Sequence, residues 1–177
     1  MSLVAAFPQS IRVDATVVAS AFDDPTTDAG FRVMVDGDVC EIPYRLGADV
    51  KRFAVLNPRQ VDLGNCLLTR HHNGFIRQEY LIKIIALNEP WVAPFVMQLL
   101  GEYVNEVIHV IHGSLPLLDA PVYREFIAGN PKFWKLTRSR VESYWNCYYR
   151  SIRRADYAGF QVVQWFEEQR KATSVLE

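Results

Sequence analysis

In IRVDATVVA (11–19) the apolar Ile11, Val13, Ala15 and Val17 alternate with Arg12, Asp14 and Thr16, a period of two that predicts a half-buried β-strand. DDPTTDAG (23–30) is polar and punctuated by proline and glycine, so it reads as a loop. FRVMVDGDVCEIPYRL follows, with Asp36-Gly37 between two β-prone runs. Asp-Gly supplies the positive φ angles of a type I′ turn, which predicts a hairpin. Pro43 cannot donate to a ladder, so the second arm ends there or lies at an edge. The expected outcome is a three-stranded antiparallel meander over roughly 11–19, 31–35 and 39–44.

From Asn57 onward the spacing becomes helical. Asn57-Pro58 and Asn130-Pro131 each pair a capping side chain with a proline suited to the first helical turn. Between Phe75 and Leu87, Ile76, Tyr80, Ile84 and Leu87 share one stripe, widened by Leu81 and Ile85, with Arg77, Gln78, Glu79 and Lys83 opposite. Between Glu102 and His112 the apolar side carries Val104, Val107, Ile108 and Ile111. Trp91–Leu100 is another apolar segment, and further helices are expected near 120–129, 132–152 and 160–171. Strands first and helices afterwards favour an α+β fold: an N-terminal β region (1–56) and a layered α-helical region (57–177) forming one compact unit.

The stretch NGFIRQEYLIKII (73–85) resembles the second helix of a HEAT-type repeat, with a tight turn, an aliphatic-Arg pair and an apolar helix. A helix over about 61–70 would be its partner, joined through His71-His72-Asn73-Gly74. Trp91–Leu100 followed by GEYVNEVIHVI is similar to a second unit; a shift of 28 residues superposes Phe75 on Tyr103, Ile76 on Val104, Tyr80 on Ile108 and Ile82 on Val110. The resemblance covers residues 57–112 and implies helical hairpins packed in layers and used for contacts. It carries over no catalytic residue.

A chain of 177 residues, 50% apolar and 22% charged, can bury one ordinary core. Its longest charge-free apolar run, Pro90–Gly101, is far short of the roughly 20 residues of a membrane-spanning helix. MSLVAAFPQS lacks a basic start, so a cytoplasmic location is expected. Cys40, Cys66 and Cys147 form no CxxC pair and read as buried free thiols, with neither disulfide nor thiolate metal site. Net charge is −1, yet residues 131–155 carry seven basic side chains against Glu142 alone. The overall balance excludes a dedicated polycation, and the local patch keeps nucleic acid open as a partner.

Two groups of residues are candidates for function. The first is a polar cluster of His71, His72, Arg77, Glu102, Glu106, His109 and His112. Glu106 and His109 have the Glu-x-x-His spacing of carboxylate-bridged metal bundles, but no second copy occurs, so no metal and no cofactor are expected. On one helix Glu102, Asn105, Glu106, His109 and His112 would share a face, and a solvated face is the plainer expectation. Cys66 lies five residues before His71, too poorly aligned on a helix to form a nucleophile–base pair. No glycine-rich phosphate loop or nucleophile elbow is present, and no catalytic residue is assigned.

The second group lies in NPKFWKLTRSRVESYWNCYYRSIRRADY (130–157). Phe133, Leu136, Val141, Tyr144, Trp145, Tyr148, Tyr149 and Ile152 recur at helical intervals beside a basic stripe. A core helix with a basic outer face explains this most simply. Lys132, Trp134, Lys135, Arg138, Arg140, Tyr144, Trp145, Arg150, Arg153 and Arg154 are the candidate binding residues, since cations beside aromatic rings suit single-stranded nucleic acid or a protein surface. The expectation is a non-catalytic protein-interaction or assembly module, self-associating or bound to a protein partner. The alternative is a nucleic-acid-associated protein, and the third is a metal-dependent enzyme.

Overall fold

The computed structural model describes residues 2–48 and 55–171. The chain is α+β, and it divides into two compact units, Met1–Ile84 and Ile85–Glu177. The division expected after residue 56 followed the change in hydrophobic spacing. The packing instead groups the first helical pair with the N-terminal elements.

The first unit begins with short 3-10 turns and helix α1 (Arg12–Ser20), where a strand was expected. The reason lies in a second register hidden under the alternation. Ile11, Ala15 and Val18 are spaced i, i+4, i+7 and are all buried, whereas Val13 is 83% exposed. The Thr16 hydroxyl donates back to the Arg12 carbonyl at 2.8 Å and that of Ser20 to Val17 at 2.6 Å, which a helical backbone permits. The expected three-stranded meander is therefore two two-stranded antiparallel sheets. Strands β2 (Gly30–Val35) and β3 (Asp38–Pro43) form the hairpin, with Phe31 opposite Ile42 and Val33 opposite Cys40 on its buried face. Asp36 (φ 51°) and Gly37 (φ 81°) take the left-handed conformations that the turn demands. The second sheet pairs β1 (Thr26–Thr27) with β4 (Leu46–Gly47).

Helix α2 (Pro58–Leu68) starts at a capping box, in which Asn57 accepts from the Gln60 backbone and the Gln60 side chain accepts from the Asn57 N–H. It packs against α1 and against α3 (Gly74–Ile84). The α2–α3 turn is tied to β4 by Leu46 N–H to the Arg70 carbonyl and His72 N–H to the Leu46 carbonyl. The fully buried Arg70 side chain donates to the carbonyls of Pro43 and Tyr44.

The second unit is built around α4 (Ala93–Leu100), which is buried on every side because APFVMQLL carries no charge. Against it lie α5 (Asn105–Gly113), α6 (Ala120–Gly129) and α7 (Pro131–Tyr148). Helix α8 (Ala158–Lys171) closes the layer, packing on α5, α6 and α7. At Gly159 the α8 backbone comes so close that a Cβ would lie 2.6 Å from the Tyr157 ring and 3.0 Å from Val141. No helix among the described residues is long and apolar enough to cross a membrane.

Candidate functional site

Helix α7 organises the site. Pro131 sits in its first turn and no glycine interrupts it. Trp134, Thr137 and Val141, spaced i, i+3, i+7, form its buried stripe, and Trp134 meets Phe166 of α8 edge to face at 5.8 Å. The hydroxyls of Thr137 and Ser139 donate back to the carbonyls of Phe133 and Lys135, both at 3.0 Å. Two flanks of α7 then differ in chemistry.

One flank is aromatic. Arg140, Tyr144 and Tyr148 follow one another at i, i+4, i+8, against the turn that ends α4. The Arg140 stem approaches Gly101, and the rings of Tyr103, Tyr144 and Tyr148 lie 6.1, 6.4 and 6.2 Å apart, pair by pair. Tyr149 donates from its hydroxyl to the Tyr103 carbonyl at 2.7 Å and stacks on buried Tyr157 at 5.5 Å. Burial raises the Tyr149 phenol, and nearby Glu106 raises it further; burial and then Tyr149 push Tyr157 up to about 12. Although the rings pack together, Tyr103 is 52% and Tyr148 66% exposed.

The other flank is basic, and a carboxylate on α8 orders it. Glu167 accepts from the Trp134 indole at 2.7 Å, from Arg138 at 2.8 Å and, through its other oxygen, from Arg170 at 2.8 Å. Next to it Arg154 reaches Glu142 at 2.7 Å while its guanidinium lies 4.1 Å over Phe160 and 5.6 Å over Trp145. Two depressions open here and share Lys135 and Arg138. One of about 340 Å³ includes Glu142, Arg154 and Phe160. The other, about 290 Å³, includes Arg170 and the apolar atoms of Ile127, Ala128 and Pro131.

Of the residues singled out from sequence, Trp134 is buried and Trp145 half-buried, its indole donating to the Ile152 carbonyl at 3.0 Å. Lys132, Lys135, Arg138, Arg150, Arg153 and Arg154 are exposed, and Arg153 pairs with Asp156 at 2.6 Å. The helix ends at Tyr148, four residues before the expected 152, so Arg150 lies beyond it. Glu167, Arg170, Glu142 and Phe160 were missed. Their carboxylate and cation types were visible, but nothing in the spacing of α8 says which side it turns toward α7.

The polar cluster takes a different form from the one expected. His71, His72 and Arg77 belong to the first unit, Glu102, Glu106, His109 and His112 to the second. Glu102 is buried in the turn before α5, so it leaves the face it was expected to share with Glu106 and His109, both exposed. Arg77, expected opposite the apolar stripe, is buried and donates to the carbonyls of His71 and His72, both at 2.9 Å. His71 accepts the Asn73 N–H through Nδ1 at 2.9 Å. Burial lowers its pKa, and His72 and Arg77 lower it further against an opposing hydrogen bond to the Ala48 backbone. Among the described residues no three His, Cys, Asp or Glu side chains group as metal ligands.

The cysteines are free, Cys40 and Cys66 buried and Cys147 exposed on the outer side of α7, which corrects the expectation of three buried thiols. Burial, then Asp38, pushes the Cys40 thiol up to about 12, and burial, then Asp62, holds Cys66 well above its ordinary value. Neither supplies a thiolate at neutral pH. Comparison with protein-family models, with curated proteins and with solved structures finds no match to this chain.

Proposed function

We propose that this protein is a non-catalytic assembly module that associates with a second copy of itself through the tyrosine edge of α7. The observation that carries the reading is the cluster of Tyr103, Tyr144 and Tyr148, three rings in mutual contact with two of them more than half exposed. Tyrosine offers a large, rigid area together with a hydroxyl, and it is enriched where protein surfaces meet. The rim of the cluster carries both signs of charge, Arg140 on the same stripe and Glu106 beside Tyr149. In a twofold contact the same patch meets itself, which an edge carrying both signs of charge accommodates better than an edge of one sign, and a second copy is the partner proposed. The HEAT-like character of the α2–α3 and α4–α5 pairs belongs to the same proposal, as does the outward placement of Phe75 and Ile82 on α3.

Light scattering over a concentration series tests it. The wild type is expected to move from monomer toward dimer, and a Tyr103→Ser, Tyr148→Ser double variant to remain monomeric with its helix content unchanged. A wild type that stays monomeric at every concentration, or a double variant that dimerises equally well, overturns the reading.

A second reading, association with nucleic acid, rests on the exposed cations of the opposite flank. Arg138, Arg153 and Arg154 already face carboxylates at 2.6–2.8 Å, which lowers the field offered to a phosphate chain. Retardation of a single-stranded probe that falls steeply with salt would favour this reading; its absence at low salt ends it.

A further inference from the structure

We propose that the smaller depression, at the first turn of α7, is a receiving site for a phosphate monoester dianion. The proposal stands on the basic flank and is independent of assembly through the tyrosine edge.

Three cations line this depression, Lys135, Arg138 and Arg170, and no acidic side chain does. Two of them are fixed from behind by one carboxylate. Glu167 receives Arg138 on one oxygen and Arg170 on the other, and the Trp134 indole holds the first oxygen in place. A guanidinium has five N–H donors, so each arginine keeps donors beyond the terminal nitrogen that Glu167 engages. Pinning two flexible side chains in advance lowers the ordering cost of ligand binding.

Charge sets the ligand class. Three positive groups against the single carboxylate Glu167 leave an excess of two, which a dianion neutralises and a phosphodiester, with one charge per phosphate, does not. The opening turn of α7 adds partial positive charge from the backbone N–H groups of Lys132 and Phe133, Pro131 having none to give. The apolar atoms of Ile127, Ala128 and Pro131 form the rest of the wall. At about 290 Å³ the space lies at the lower end of ligand pockets and suits a phosphate head with a few carbons rather than a nucleotide. The neighbouring larger depression differs in holding Glu142, whose charge opposes an anion.

Isothermal titration of the full chain with phenyl phosphate, inorganic phosphate and a short single-stranded oligonucleotide tests the site. Phenyl phosphate is expected to bind, more tightly than the oligonucleotide per phosphate. Affinity should fall as pH drops through about 6, where the second phosphate proton returns. Lys135→Gln and Arg138→Gln should each weaken binding about tenfold or more, and Arg154→Gln, on the larger depression only, less than about twofold. Lys135 makes no ion pair among the described residues, so its variant keeps the test valid if Arg138→Gln fails to fold. Free phosphate binding as well as phenyl phosphate would identify a simple anion as the ligand and support the site; failure of both at millimolar concentration overturns it. Equal losses in all three variants, or tighter binding of the oligonucleotide, would point to a diffuse basic surface and also overturn it.

Discussion

Arg77 donates from one terminal nitrogen to two successive carbonyls, His71 and His72, and so fixes the turn leading into α3. Replacing it with methionine keeps the apolar stem and removes both charge-assisted bonds inside the fold. The expected cost is about 2–4 kcal/mol in denaturant unfolding, and a change within about 0.5 kcal/mol would contradict this role. His71, in the same turn, uses Nδ1 as an acceptor, which requires the neutral ring. Its folded pKa lies below the 6.5 of the free side chain, so the unfolded chain takes up the proton first as pH falls. The stability tied to the neutral ring is fully present above pH 6.5 and is lost as pH falls from there toward the lower folded value. Between about pH 7.5 and about pH 5.5 the wild type should therefore lose more stability than His71→Gln; equal losses would show that this ring does not govern the acid limb.

Helix α1 shows what a short apolar pattern leaves open. The stretch from Ile11 to Ser20 satisfies a strand register through Ile11, Val13, Ala15 and Val17 and a helix register through Ile11, Ala15 and Val18, and packing against α2 and the N-terminal 3-10 turns selects the second. The two registers predict opposite mutational results. Val18→Ala, at a fully buried position, should cost about 1–3 kcal/mol, and Val13→Ala, at an 83% exposed one, less than about 0.5 kcal/mol. The reverse order in thermal or denaturant unfolding would restore the strand. The β2–β3 hairpin was legible because Asp36-Gly37 carries its own backbone requirement, and α2 because Asn57-Pro58 marks a start by local chemistry. These signals need no partner element. The orientation of α1 and the length of α7 depend on what lies alongside, and no local signal encodes that.

Across the molecule, a net charge of −1 conceals a basic segment in which Arg138 and Arg153 are matched by acids outside it, Glu167 and Asp156, and Arg154 by Glu142 within it. The sequence revealed the basic and aromatic residues of α7 but not their sorting onto two flanks, because that sorting comes from the side α8 covers and from Tyr103 reaching across from the end of α4. Arg77 and Glu102 were misread for the same reason: a charged residue is assigned to solvent until the carbonyls or helices that enclose it are known. Assembly through the Tyr103–Tyr144–Tyr148 edge, as proposed, would bury those rings only when two copies meet. Hydroxyl-radical footprinting by mass spectrometry at low and high protein concentration tests it most directly. Tyr103 and Tyr148 should become protected as concentration rises while exposed Leu136, elsewhere on α7, is modified equally at both concentrations. Unchanged labelling of the two tyrosines in a sample that demonstrably dimerises would contradict it.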